Sequence, residues 1–451
     1  MNTRIPSRAA LALLPAAFLL SPAASAAQTA APATPGPPLR LGIEEAVERA
    51  AELNEQVLVA RAERARAQGI VRETRADALP DITADLGYTR NIQTPVIFFN
   101  TEQGVQQITI GQANEYSFRL GLRQTLLDFS LGPARGAARL AEDASLAGVE
   151  AARTGVALQA RIAYYDVLLD RSLLEVEERA LETAEQRLNQ VREFHEVGTG
   201  SEFDLLTAQV EVDNIRPRVI EARNRLEVDR NELKRTIGLP LARQLVLSDS
   251  FPLPTEIDVD LEQAVDHALA ERSDLRAQRL SVDLRQEGLT SERSAALPSL
   301  FLDAAVLRRA SSGDVIPPSR DFSQSTTVGL ALEWPIFDGA ARSGRIQQAR
   351  AELERERYRL QRLAEDVRLD VQQSLLALNA AREEISASES NVRRAERALE
   401  IAQTRFRNGL STQVELNDAA LAMTEARTNY ARALYRYAVA RAQLQAAMGE
   451  R

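Results

Sequence analysis

Phe406–Leu421 reads FRNGLSTQVELNDAAL, and this stretch decides the fold. Apolar residues at helix spacing lead up to Phe406, Gly409 breaks the pattern, and a second helix restarts after Ser411 or Thr412. Glu415 and Asp418 then stand three apart, so both carboxylates share one helix face. An earlier stretch, Phe194–Gln209, reads FHEVGTGSEFDLLTAQ and has the same form. Setting Gly198 on Gly409 sets Asp204 on Glu415 and Gly238 on Gly449. The chain therefore carries two copies of one long helical hairpin, and matched hydrophobic registers in a repeat rarely arise by chance.

Outward from the tips the helices are very long. One runs from Gly132-Pro133 to about Phe194, roughly 60 residues or 90 Å. Leu181, Ala184, Leu188 and Val191 give it a coiled-coil seam. Its copy spans Ala341 to Arg407, with Val392, Ala395, Leu399, Ala402 and Phe406 as the seam. The return helices cover Ser201 to Ile237, where Pro217 predicts a kink, and Thr412 to Met448. Leu41 to Ala78 reads as one further helix. Leu261–Leu275, LEQAVDHALAERSDL, repeats its start, Ile43–Val57, IEEAVERAAELNEQV.

Between these helices the rhythm changes to period two. Ile82, Ala84, Leu86 and Tyr88 alternate with Thr83, Asp85, Gly87 and Thr89. Tyr116, Phe118, Leu120 and Leu122 alternate with Ser117, Arg119, Gly121 and Arg123. A long loop joins these two strands. Leu300, Leu302, Ala304 and Val306, then Val328, Leu330, Leu332 and Trp334, form a second pair around a polar loop with Pro317-Pro318. Such strands fit a sheet wetted on one side or a membrane barrel with a polar lumen. The expected organisation is a first structural repeat over residues 41–240, a connector over 241–260 and a second repeat over 261–449. Strands are placed at about 81–93, 114–128, 299–309 and 324–337.

Residues 1–26 read as a secretory signal peptide, with Arg4 and Arg8 before an apolar run and Ala24-Ser25-Ala26 as the cleavage site. A membrane anchor is the alternative. Residues 27–40 read as a flexible Ala/Pro-rich lead. The chain has no cysteine, hence no disulfide and no thiol to lipidate. A formal charge of −9 argues against nucleic acid as a partner. His195 and His267 lie far apart on charged helices, and Glu383-Glu384 reads as a solvated face. No nucleophile, metal set or cofactor motif stands out, so the chain is read as no enzyme. Four strands cannot hide both edges of their sheet, and a bilayer tolerates no open edge. Further strands from other copies are the economical closure. Two chains give eight strands and three give twelve. Trp334, Phe337, Tyr88, Tyr116 and Phe118 at or near the strands fit interfacial girdles.

With this order of elements the chain resembles the TolC family of trimeric outer-membrane efflux proteins over about Leu39 to Gly449. The likeness rests on the duplicated plan, on Leu79-Pro80 and Leu297-Pro298 before strands, on WPIFDGAARSGRI at Trp334–Ile346, and on VGTGSEFDLL and NGLSTQVELNDA at the tips. The resemblance implies a mainly α fold with membrane β, built from a duplicated helix–β-hairpin–long helix–helix unit. It also implies a homotrimer whose twelve-stranded barrel in outer-membrane lipid continues into a periplasmic α-helical barrel. It implies a periplasmic adaptor protein and an inner-membrane pump of the RND or ABC type. In the family, carboxylates after the second tip line the narrow periplasmic entrance. The matching positions are Glu415 and Asp418, with Asp204 their counterpart in the first copy. The usual pattern has two Asp, and Glu415 departs from it. The bland alternative is a solvated helix start where the dipole favours acids. Val197, Gly198, Thr199, Gly409, Leu410 and Ser411 match the adaptor-contact region, and turn chemistry alone also accounts for them. A passive exit duct and a non-conducting periplasmic coiled-coil scaffold are the two functional readings.

Overall fold

The computed structural model describes residues 39–94, 96–101, 104–109, 111–254, 259–315 and 322–450. The signal-peptide reading, residues 27–38 of the lead and Pro317-Pro318 fall outside these residues. The first copy comprises β1 (Leu39–Leu41), α1 (Ile43–Leu53), α2 (Glu55–Ala76), β2 (Asp81–Arg90), β3 (Val96–Thr101), β4 (Gly104–Thr109), β5 (Asn114–Leu127), α3 (Leu131–Glu196) and α4 (Glu202–Thr236). After β6 (Leu245–Leu247) the second copy comprises α5 (Leu261–Glu271), α6 (Ser273–Ser294), β7 (Ser299–Ser312), β8 (Phe322–Glu333), α7 (Ala341–Arg407) and α8 (Gln413–Ala447).

Helices α3 and α7, at 66 and 67 residues, are each about 100 Å long. Their partners α4 and α8 pack alongside. Along α3 and α4, Ala184 and Leu188 meet Ala208, Val212 and Ile215. Along α7 and α8, Ala395 meets Met423 and Ala426. Small side chains let the axes approach closely, and the burial recurs along the length instead of gathering in one globular centre. The densest packing lies nearer the sheet. There Leu41, Val57, Val156, Tyr164, Leu168, Leu233 and Ile237 join α1, α3, α4 and the β1–β6 pair. Leu275, Val367, Val371, Leu378 and Tyr437 do the same for the second copy. A buried Val or Leu contributes about 1.5–3 kcal/mol, so these clusters set the order of the helices.

Four features differ from the sequence reading. The helix expected over 41–78 is two helices. Asn54 is extended (φ −65°, ψ 138°), caps α2 through Gln56 N and donates from Nδ2 to the Thr236 carbonyl at 2.9 Å. Arg272 makes the same joint between α5 and α6 and reaches the Ala447 carbonyl at 3.4 Å. Each joint thus receives the end of its own copy's return helix, which a periodicity count cannot see. Second, the loop between β2 and β5 holds the antiparallel hairpin β3–β4. Third, Leu39 and Arg40 belong to β1, not to a flexible lead. β1 pairs in parallel with β6 inside the connector. Fourth, strand ends shift: β2 stops at Arg90, β7 reaches Ser312 and β8 stops before Trp334. Helix α4 continues through Pro217.

The main sheet runs β2-β5-β7-β8, antiparallel throughout. Its central pairing, β5 to β7, joins the two copies. Register puts Ile82 beside Leu122, Leu120 beside Val306, and Ala304 beside Val328 on one face. On the other face Asp81 pairs with Arg123, and Arg123 with Asp303. Arg123 also reaches Glu333 at 2.7 Å. No helix packs extensively on either face among the described residues. Leu86 is 84% exposed, and Ile82, Leu120, Val328, Leu330 and Leu332 are exposed with it. Among the described residues no helix is long and apolar enough to cross a membrane.

Tyr164 locks the β1–β6 pair onto α3. Its hydroxyl donates to the Leu41 carbonyl at 3.1 Å and accepts from Asp249 N at 3.3 Å. Burial pushes this phenol up to about 12, so it remains a donor. Asp249 also accepts from Ile43 N at 2.6 Å at the start of α1. Tyr164→Phe should cost about 1–3 kcal/mol by leaving these groups unpaired, read as a lower unfolding temperature in detergent.

Candidate functional site

The two hairpin tips are built alike. Gly198 has φ +79° and Gly409 φ +69°, the left-handed region that glycine enters without strain. Each ends its long helix in a Schellman turn. Gly198 N donates to the His195 carbonyl and Thr199 N to Phe194. Gly409 N donates to Phe406 and Leu410 N to Arg405. A capping side chain then starts the return helix. Ser201 Oγ accepts from Asp204 N at 3.1 Å, and Thr412 Oγ1 from Glu415 N at 3.3 Å.

Two of the three acids singled out in the sequence are therefore third residues of a capped helix. Asp204 accepts from the Ser201 hydroxyl at 2.7 Å, and Glu415 accepts from the Ser411 hydroxyl. These contacts fix each side chain against the helix start, where the dipole favours acids. Asp418, one turn further on, is exposed, as is Glu415. The tips lie side by side, because the buried Gln413 donates from Nε2 to the Asp204 carbonyl at 3.4 Å. Val197 and Leu410 are exposed at the two turns, with Phe203 and Val414 beyond them. His195 Nδ1 lies 3.3 Å from the Gly200 carbonyl oxygen.

A residue that periodicity did not reveal ties the tips together. Arg187 on α3 is 4% exposed. It forms an ion pair of 2.6 Å with Glu211 on α4 and donates to Asn417 on α8, next to Asp418. One guanidinium thus spans both hairpins. The signal lay in the comparison of copies: 211 residues on from Arg187 and Glu211 stand Ala398 and Ala422. A charge pair where the other copy has alanine marks a contact that the shared packing does not need.

Among the described residues no cluster of three or more His, Cys, Asp or Glu could hold a metal ion. A cavity of about 580 Å³ opens between α3, the α5–α6 joint, α7 and α8. Its Arg272 is held by Asp274 at 2.8 Å and Asp370 at 3.1 Å, and so braces the joint.

Long paired helices that end in capped tips are thus joined to an amphipathic sheet whose apolar face no helix packs on extensively among the described residues. A family model described as Outer membrane efflux protein matches residues 46–239 and 264–450. The chain is 26% identical over 402 residues to outer membrane protein TolC of Vibrio cholerae, covering 89% of each. It is 27% identical over 264 residues to alkaline protease secretion protein AprF of Pseudomonas aeruginosa, covering 57% of this chain and 53% of that one. Its fold matches the CmeC outer membrane channel of Campylobacter jejuni with a TM-score of 0.76 at 19% identity, covering 90% of this chain and 85% of that one. The chain belongs to the outer membrane efflux protein family. It is an outer-membrane protein, an efflux or secretion channel.

Arg187→Ala should strand the partly buried Glu211 and free Asn417. A loss of roughly 2–4 kcal/mol in hairpin docking is expected. Faster amide exchange around residues 410–425, with the sheet unaffected, is the measurement that checks it.

Proposed function

We propose that three copies of this chain close one twelve-stranded barrel over a helical tunnel, as the passive exit duct of a tripartite efflux or type I secretion system. An inner-membrane pump of the RND or ABC type delivers the substrate through a periplasmic adaptor. One observation carries the reading: among the described residues the four-stranded sheet is apolar and exposed on one face, charged on the other, and unpaired along the outer edges of both β2 and β8. In lipid the apolar face needs no cover, but the two edges need strands, and only other copies offer matching ones. The charged face, with Asp81, Asp85, Arg119, Arg123 and Asp303, then lines the lumen.

Helices about 100 Å long carry the tips from the barrel across the periplasm. Val197, Gly198, Thr199, Gly409, Leu410 and Ser411 are the proposed adaptor contacts, supported by the exposure of Val197 and Leu410. Glu415 and Asp418, with Asp204 beside them, are the proposed periplasmic gate. Three chains would bring six carboxylates from α8 to the entrance, favouring cations and repelling one another.

Two measurements test this. The native mass of the protein in detergent should be three times that of one mature chain, and a single-chain particle would refute the assembly. In planar bilayers, Glu415→Ala with Asp418→Ala should raise single-channel conductance and weaken cation preference. Unchanged conductance and preference would remove the gate assignment while leaving the barrel standing.

A further inference from the structure

Far from the tips, α3, α4 and α8 meet around acids that the duct does not use. Asp170 on α3 is 5% exposed, and its Oδ2 accepts no hydrogen bond from an N–H or O–H donor. The ionisable groups that face it are Asp166 on its own helix and Asp229 and Arg225 on α4. Asp166 in turn accepts from the Tyr435 hydroxyl on α8. Two carboxyl groups can hydrogen-bond each other only when one is protonated. Asp170 and Asp229 are placed to do so. Burial first, and the Asp229 charge after it, raises the Asp170 carboxyl to about 7. Burial also raises Asp166, against the hydrogen bond from Tyr435. Arg225 opposes the rise at Asp170 but lies 3.6 Å from Glu221, which competes for it.

The second copy indicates what these acids are not for. At the same places, 211 residues on from Asp166, Asp170 and Asp229, stand Ala377, Ala381 and Ala440. Ala381 and Ala440 are 5% and 4% exposed, so α7 and α8 pack there on methyl groups alone. Helix packing at this level needs no carboxylate, and burying one without a partner is costly. The first copy nevertheless has three.

We propose that Asp170 and Asp229, with Asp166 and Tyr435 beside them, form a proton-operated joint that clamps α4 and α8 onto α3 while the pair holds a proton and slackens when the proton leaves. The Asp170 carboxyl is raised in the folded chain above its ordinary 3.8, so the folded state holds the proton longer than the unfolded one. The clamp is complete in acid and is lost as pH rises through about 7. Because α8 belongs to the other hairpin, slackening alters the hold of one hairpin on the other, upstream of Arg187 and the tips.

The test uses the full chain in detergent at about pH 5.5 and about pH 8.5, either side of the transition. The native chain should melt lower at the higher pH. Asp170→Ala with Asp229→Ala, which copies the second repeat, should shrink that difference by on the order of 5 °C. Infrared spectra should show a protonated carboxyl band in the native chain that fades between the two pH values and is missing from the variant. The absence of natural cysteine allows spin labels at Asn189→Cys on α3 and Glu425→Cys on α8. Their separation should broaden with rising pH in the native background and stay fixed with the two alanines. An identical pH dependence in the variant would overturn the proposal. So would a native chain with no titrating carboxyl band, a result that stands even if the variant fails to fold.

Discussion

An unpaired backbone N–H or C=O in hydrocarbon costs several kcal/mol, and the outer edges of β2 and β8 are rows of such groups. This constraint governs the rest of the molecule. It bears on the four strands because the apolar face carries the exposed Leu86, Val328 and Leu330, and among the described residues no helix packs extensively on it. Among the described residues the chain pairs neither outer edge, and the proposed closure by other copies answers both. The helices obey a milder version of the same rule. With alanine-rich seams and short-range burial along some 100 Å, each hairpin buries one stripe and presents others, as Phe203, Leu206 and Val210 do on α4.

Duplication gives the molecule an internal control. Where both copies carry the same kind of residue, the reason is the shared frame: Gly198 and Gly409 turn the tips, and Val167 and Leu378 fill the same core position. Where they differ, something other than packing is at work. Arg187 and Glu211 against Ala398 and Ala422 tie the two tips together through α8. Asp170 and Asp229 against Ala381 and Ala440 introduce titration into a helix pair that does not need it. Both departures lie in the first copy and both involve α8, so the asymmetry is concentrated where one hairpin rests on the other.

The long helices were legible in the sequence because a seam of Leu181, Ala184, Leu188 and Val191 cannot be read as anything else, and Gly409 with Thr412 marks one helix ending and the next beginning. The strands were legible as alternation, but their order was not: β5 lies against β7 through pairings from Leu127–Leu300 to Asn114–Ser312, about 170 to 200 residues apart, and period two says nothing about partners. The breaks at Asn54 and Arg272 were hidden because both residues also suit a helix surface. What breaks the helix is the arrival of Thr236 and Ala447 from elsewhere in the chain. At the tips the acids were visible and their capping contacts were not, since Ser411 and Ser201 became partners only once the turn geometry existed. Arg187 was legible only in hindsight, by laying one copy on the other.

The β5–β7 pairing, the β1–β6 pairing and the contact of α3 with α8 all join segments far apart in the chain, up to 230 residues for Arg187 and Asn417. Neither half can reach its final state alone: Leu39 must wait for Leu245, and α3 for the last helix to be delivered. Closure over such distances is entropically slow, and it leaves edge strands and apolar side chains uncovered meanwhile. Until the C-terminal segment is in place, the edges of β2 and β5 and the apolar faces of the helices stay open to wrong pairings, so the last helix to be made decides when the first can settle.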